Sequence, residues 1–280
     1  MSATTWQTPT STSTPTTFAG LVHAEIRRYA WRRLTRVGFL VLMGAALLVW
    51  LLVVASAWSV GLGPTAVQPA EMVTGPLLAM TGLLSLLTMV VAASFVGADG
   101  SSGALSQWLT FAPNRTAVFW SKAVAAAVGS AMLGALGLGL TFVGATLTWV
   151  ALVPGGVADP IETLPALLRG VAFICLAGLG GFAVSAAFGS TAATPIAAAG
   201  YFGVVTTRAI LGISDAAWRF SPESSAIAFL SGGARFGYHV DDYKVSYIYV
   251  SGLAGGTTLA GWVALVLLLS YAWFLRREHA

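Results

Sequence analysis

The sequence predicts an all-α polytopic membrane protein, and three observations carry that prediction. Hydrophobic residues make up 57% of the 280-residue chain and charged residues only 9%, against about 25% charge in a typical soluble domain. Six apolar runs, at about residues 37–60, 72–96, 123–153, 167–188, 192–212 and 252–275, are long enough to cross about 30 Å of hydrocarbon as helices. Nearly all charges fall between these runs or at their edges.

Composition also excludes several functions. The net charge is +4, but 14 basic residues dispersed through so apolar a chain make no phosphate-binding face, so no nucleic-acid partner is expected. The single cysteine, Cys175, lies inside an apolar run, which rules out an intrachain disulfide and reads as a small buried hydrophobe. His23, His239 and His279 sit in separate segments, so neither a metal set nor a Ser-His-Asp triad arises. His239, Asp241, Asp242 and Tyr243 read as a solvated loop rather than a cation site. No GxxxxGK[ST] loop occurs, so the chain is expected neither to bind ATP in the P-loop manner nor to be an enzyme itself.

Residues 1–17 are rich in Thr, Ser and Pro and carry no charge, the composition of a disordered tail. From Phe18 to Arg36, Leu21, Val22, Ile26, Tyr29 and Ala30 recur at helical spacing, with Arg27, Arg28, Arg32, Arg33 and Arg36 as the cationic face. That pattern predicts an amphipathic helix at a membrane surface, in contact with lipid headgroups.

The first span follows, Val37 to Val60. Arg32-Arg33 ahead of it and Ala55-Ser56-Ala57 within it resemble a cleavable signal. The apolar core is longer than a signal's and more spans follow, so a retained helix is expected. Gly61 to Glu71 turns the chain, and Pro154 to Pro165 forms a later loop. Gly189-Ser190-Thr191 alone separates the fourth and fifth spans, predicting a tight helical hairpin. In the long polar segment Ile213 to Ser251, Pro222 to Leu230 reads as a short re-entrant or surface helix.

Between the second and third spans lies Ala98 to Lys122, ADGSSGALSQWLTFAPNRTAVFWSK. Asp99, Ser101 and Ser102 are favourable helix-start residues and Pro113 blocks continuation, so Gly103 to Ala112 is expected to form one short helix. Leu105, Trp108, Leu109 and Ala112 then share a face. About 15 Å long, this helix is too short to span a bilayer and is expected to lie along its surface.

Six spans put both termini on one side together with this stretch. That side holds nine basic and three acidic residues, the other five basic and seven acidic. The positive-inside tendency therefore makes it cytoplasmic in a cell membrane, by expectation a bacterial plasma membrane.

The order of these elements resembles the type-2 ABC exporter permeases, integral membrane subunits that pair with a separate ATPase. Three features carry the resemblance: the surface helix with Glu25, Arg28, Arg32 and Arg33; the motif FVGADGSSGALSQWLTFAPNRTAVFWSK; and the closing WFLRREHA. Asp99 stands where the family more often has glutamate. The resemblance implies a connecting helix formed by the first feature and a coupling helix formed by the second. It assigns ATPase coupling to Asp99, Gly100, Ser101, Ser102, Gly103, Leu105, Trp108, Leu109, Pro113, Arg115 and Lys122. It also implies two ATPase subunits holding Mg-ATP, a second permease copy or paralogue, and outward movement of an amphipathic drug, antibiotic, peptide or lipid.

Because the family's second and fifth spans line its central cavity, Thr81, Ser85 and Thr88, at i, i+4 and i+7, are candidates for the translocation path, with Tyr201, Thr206 and Thr207. Hydroxyls also bond their own helix backbone and join neighbouring helices, which is the competing reading of the same residues. Two other functions remain open from the sequence: a membrane scaffold or assembly factor docking a cytoplasmic partner, and a secondary transporter, disfavoured by the scarcity of acidic residues in the spans.

Overall fold

A computed structural model of the chain describes residues 17–59, 69–101, 114–152, 160–199, 220–241 and 244–276. Helix α1, Phe18–Trp31, begins under an N-cap at Thr17, whose hydroxyl accepts from the Gly20 amide at 3.3 Å. It stops where Arg32 takes an extended conformation, φ −64° and ψ 140°. Helix α2, Arg33–Ser59, starts at the next residue. The surface helix is thus five residues shorter than the pattern suggested, and Arg33 and Arg36 belong to the first turn of a spanning helix. Apolar spacing does not register a break of one residue, because the helical period resumes on its far side.

Helix α3, Pro69–Ser101, carries Pro76 near its start, and α4, Arg115–Leu152, is the longest helix at 38 residues. Asn114 caps α4: its side-chain oxygen accepts from the Ala117 amide at 3.1 Å. The third span therefore begins eight residues ahead of the expected Ala123, and Lys122 lies inside it. At about 1.5 Å per residue α4 reaches about 57 Å, well beyond a bilayer's hydrocarbon. Helix α5, Pro160–Phe188, ends on Gly189 with φ 65°, a left-handed position suited to glycine. The expected turn after it is present, and residues 193–199 are helical. The rest of the predicted fifth span lies outside the described residues.

Helix α6, Pro222–Ser231, has Ser221 as N-cap, proline in its first turn and Gly232 in the left-handed conformation at its end, matching the short helix read from sequence. An antiparallel hairpin follows, β1 at Gly233–Asp241 and β2 at Lys244–Ser251, with Phe236 opposite Ile248 and an irregularity between His239 and Asp241. This two-stranded hairpin is a small addition to a chain whose described elements are otherwise helical, as the all-α expectation had it. Its signal was present in the β-branched and aromatic run Val245 to Val250 beyond an Asp-Asp turn. Helix α7, Gly252–Arg276, completes the fold.

Among the described residues five helices are long and apolar enough to cross a membrane: α2, α3, α4, α5 and α7. Large apolar side chains such as Leu40, Leu52, Leu168, Leu253 and Leu269 are exposed on their outer faces, as in a multi-pass membrane protein whose outer surface meets lipid. One buried core joins Tyr29, Phe95, Phe119 and Phe182, and the other joins Leu42, Met80, Leu84, Leu138 and Ile174. Helix α3 contributes to both. Phe119 on α4 gathers Phe182 of α5 at 5.4 Å and Tyr271 and Phe274 of α7 at 5.2 and 5.5 Å. The last turns of α7 thereby meet the first turns of α4, while the hairpin stands at the opposite end of α7.

Candidate functional site

Asp99 lies in the last turn of α3 and Lys122 in the third turn of α4, at the two ends of the segment between them. Asp99 therefore closes a spanning helix rather than opening the next one, as its helix-start chemistry had suggested. The Lys122 ammonium donates to Asp99 Oδ2 at 2.8 Å, and the two residues are only 3% and 2% exposed. Asp99 Oδ1 also accepts from Arg28 Nη2 at 2.7 Å and Arg32 Nη2 at 3.1 Å. Lys122 lies 3.0 Å from Glu25 Oε1, and Arg28 Nη1 lies 3.7 Å from Glu25 Oε2. Five charged side chains from α1, the elbow after it, α3 and α4 thus share one cluster, in which Glu25, Asp99 and Lys122 are buried and Arg28 and Arg32 half-buried.

The local sequence explains the convergence. Glu25 and Arg28, three residues apart, occupy one face of α1, with Tyr29 one turn beyond Glu25. The break at Arg32 frees its side chain from the helical direction, so one guanidinium nitrogen reaches Asp99 while another donates to the Ser94 carbonyl at 2.6 Å. Phe95, one turn before Asp99 and fully buried, floors the site. Its ring centre lies 5.2 Å from the Arg32 guanidinium, 5.0 Å from Lys122 Nζ and 5.1 Å from the edge-on Tyr29 ring.

Three cations face two carboxylates, and the surplus positive charge sits at the C-terminal end of α3. Unpaired carbonyls there present partial negative charge, and Arg32 bonds the Ser94 carbonyl two turns further into the helix. Burial holds the Arg32 guanidinium below its usual arginine value, and Asp99 acts in the opposite sense. Burial likewise pushes the Tyr29 phenol up to about 12, against smaller lowering contributions from Ser130 and Arg32. Buried ion pairs repay their desolvation only when well bonded, and removing one partner typically costs about 3–5 kcal/mol. The cluster is therefore a rigid brace.

Of the residues singled out from sequence, Glu25, Arg28, Arg32, Asp99 and Lys122 come together here. Arg33 does not: it is exposed at the start of α2, as is Arg36, and Arg27 is exposed on α1, so the arginine face divides into an inward pair and an outward set. Gly100 and Ser101 finish α3, and Arg115 opens α4. Ser102, Gly103, Leu105, Trp108, Leu109 and Pro113, and with them the short helix, lie outside the described residues. So do Tyr201, Thr206 and Thr207.

Thr81 and Thr88 are buried in the bundle, bonding the carbonyls of Leu77 at 2.7 Å and Leu84 at 2.9 Å on their own helix. Across the seam, α5 presents Gly170 to Thr81 and the Ile174 carbonyl to Thr88 at 3.5 Å. In the described structure both hydroxyls thus sit in helix packing. Ser85, half-buried between them in sequence, lines an apolar cleft with Met89, Phe173 and Trp262.

Sequence reasoning missed Tyr29, Phe95 and Gly129 as parts of the site. Tyr29 and Phe95 stand one turn from Glu25 and Asp99, a spacing that would have found them. Gly129 on α4 carried no signal: a methyl group there would overlap the Tyr29 ring, so the close approach of α1 to α4 requires glycine. No protein-family model matches the chain, and no characterised protein matches it in sequence.

Proposed function

We propose that the chain is the permease subunit of a type-2 ABC exporter, carrying an amphipathic substrate outward by alternating access. A separate pair of ATPase subunits would hold Mg-ATP and drive it, and a second permease copy or paralogue would complete the cavity. The observation that carries this reading is the buried cluster around Asp99. It clamps the helices on either side of the 102–113 segment, α3 and α4, to each other and to α1, so force applied through that segment would move α1, α3 and α4 together. A coupling element has to be joined to its spans in this way, and an ordinary connector does not.

The expected orientation puts the 102–113 segment and both termini in the cytoplasm, where the ATPase resides. Leu105, Trp108 and Leu109 would fill an apolar groove on it. The apolar cleft at Ser85, lined also by Leu259 and Val263, suits the greasy part of an amphipathic substrate better than a small ion.

Co-purification of the tagged chain from its native membrane tests the reading, followed by ATP hydrolysis assays in lipid. The expected result is a bound ATPase whose vanadate-sensitive turnover responds to amphipathic compounds. Trp108→Ala is expected to abolish that response with the protein still folded. A chain that brings down no ATPase would overturn the exporter reading in favour of a scaffold.

A further inference from the structure

The cluster at Asp99 consumes Glu25, Arg28, Arg32 and Lys122, and it leaves Arg33 and Arg36 outside. Both are exposed, and among the described residues neither has a carboxylate ion-pair partner. The Arg36 guanidinium is held in place over the Trp31 ring, 4.5 Å from its centre. Beside it opens a cleft of about 400 Å³ between the α1–α2 elbow and α4, walled by Tyr29, Thr35, Phe39, Met132 and Leu136 with Arg36 at its edge.

Two unsatisfied features face this place. Thr35 is only 8% exposed and its hydroxyl has no hydrogen-bond partner. A threonine deep in a helix bonds the carbonyl four residues back. Here the chain breaks at Arg32, and that acceptor is out of helical register. For the same reason the first amides of α2 have no carbonyl one turn behind them, and a helix start of this kind attracts anions.

We infer that this elbow is a binding site for an anionic glycerophospholipid of the leaflet on the α1 side, with the phosphate held by Arg33, Arg36 and the first turn of α2 and one acyl chain in the cleft. A free phosphate would leave the apolar wall of Phe39, Met132 and Leu136 without an occupant. A zwitterionic lipid would place a cation beside two arginines that have no carboxylate partner among the described residues. The position fits a headgroup: it lies where an amphipathic helix meets a spanning one, beside a tryptophan of the kind that marks the membrane interface. An occupied site would also pack the outer side of the elbow whose inner side is clamped to Asp99.

The test uses the full-length chain purified in detergent, with native mass spectrometry of lipid retained from mixtures of phosphatidylglycerol and phosphatidylcholine of matched acyl chains. Wild-type protein is expected to retain phosphatidylglycerol preferentially, one per chain. Arg33→Gln with Arg36→Gln should lower the preference about 30-fold, at about fivefold for each arginine near an anionic lipid surface. Leu136→Trp should reduce retention of both lipids by filling the cleft. Thermal unfolding of each variant without lipid checks that it folds. Equal retention of the two lipids by the wild type, or an unchanged preference in the double variant, would sink the site. Displacement of the bound lipid by inorganic phosphate would overturn it too, by showing a free-anion site. None of these readouts involves an ATPase, so they stand apart from the exporter reading.

Discussion

Asp99 and Lys122 are 23 residues apart in the chain and 2.8 Å apart in the structure. That one ion pair ties the last turn of α3 to the third turn of α4. Arg28 and Arg32 then tie the same carboxylate to α1 and to the elbow that leads into the membrane.

Removing the carboxylate tests the brace. Asp99→Asn leaves three cations around a single buried glutamate and is expected to destabilise the protein by about 3–5 kcal/mol. Replacing both partners, Asp99→Asn with Lys122→Met, should cost less than the sum of the two single changes. A double-mutant cycle on detergent unfolding measures this coupling, and additive effects would contradict the geometry.

Gly129 and Tyr29 form a steric lock. Gly129→Ala is expected to cost about 1–3 kcal/mol because its methyl group overlaps the Tyr29 ring. In the Tyr29→Ala background the same substitution should be nearly neutral, as read by thermal unfolding.

The hydroxyls of α3 should separate by role. Thr88→Val, at a fully buried position bonded to its own backbone, is expected to change stability by about 1 kcal/mol and to leave substrate-stimulated turnover unchanged. Ser85→Phe, in the apolar cleft, is expected to alter substrate response with little effect on folding. Loss of transport in Thr88→Val alone would return that residue to the translocation path.

Tyr29 sets an alkaline limit. Its phenol holds its proton to about 12 in the fold, whereas an unfolded tyrosine releases it near about 10. The folded state therefore binds more protons between these values, and stability falls as pH rises through that window, being complete below it. At about 1.4 kcal/mol per unit the loss approaches about 3 kcal/mol. Tyr29→Phe should flatten the fall, as measured by unfolding midpoints at pH 9 and 11.

Much of the fold was legible because a bilayer imposes length and composition on whatever crosses it. The runs behind α2, α3, α4, α5 and α7 announce themselves in that way, and Ser221-Pro222 with Gly232 brackets α6 by cap chemistry. The hairpin Gly233 to Ser251 went unread although its second strand carries a β-branched and aromatic run, Val245 to Val250, because a short strand in a polar stretch shows no length constraint of the kind a bilayer imposes. The start of α4 was misplaced because Arg115 and Lys122 look like an end to hydrophobicity, while Asn114, the actual cap, is a single residue.

The sequence by itself determined that the chain holds helices long and apolar enough to cross a membrane, and the family resemblance singled out Glu25, Arg28, Arg32, Arg33, Asp99, Arg115 and Lys122 among the charges. Only the tertiary structure decided that Glu25, Arg28, Arg32, Asp99 and Lys122 form one largely buried cluster, that Arg33 and Arg36 do not join it, and that the Thr81 and Thr88 hydroxyls lie within helix packing. The reason is physical. Periodicity reports which face of a helix is apolar. Which faces meet depends on close approaches such as Tyr29 on Gly129, and on a one-residue break at Arg32 that turns its guanidinium inward to Asp99.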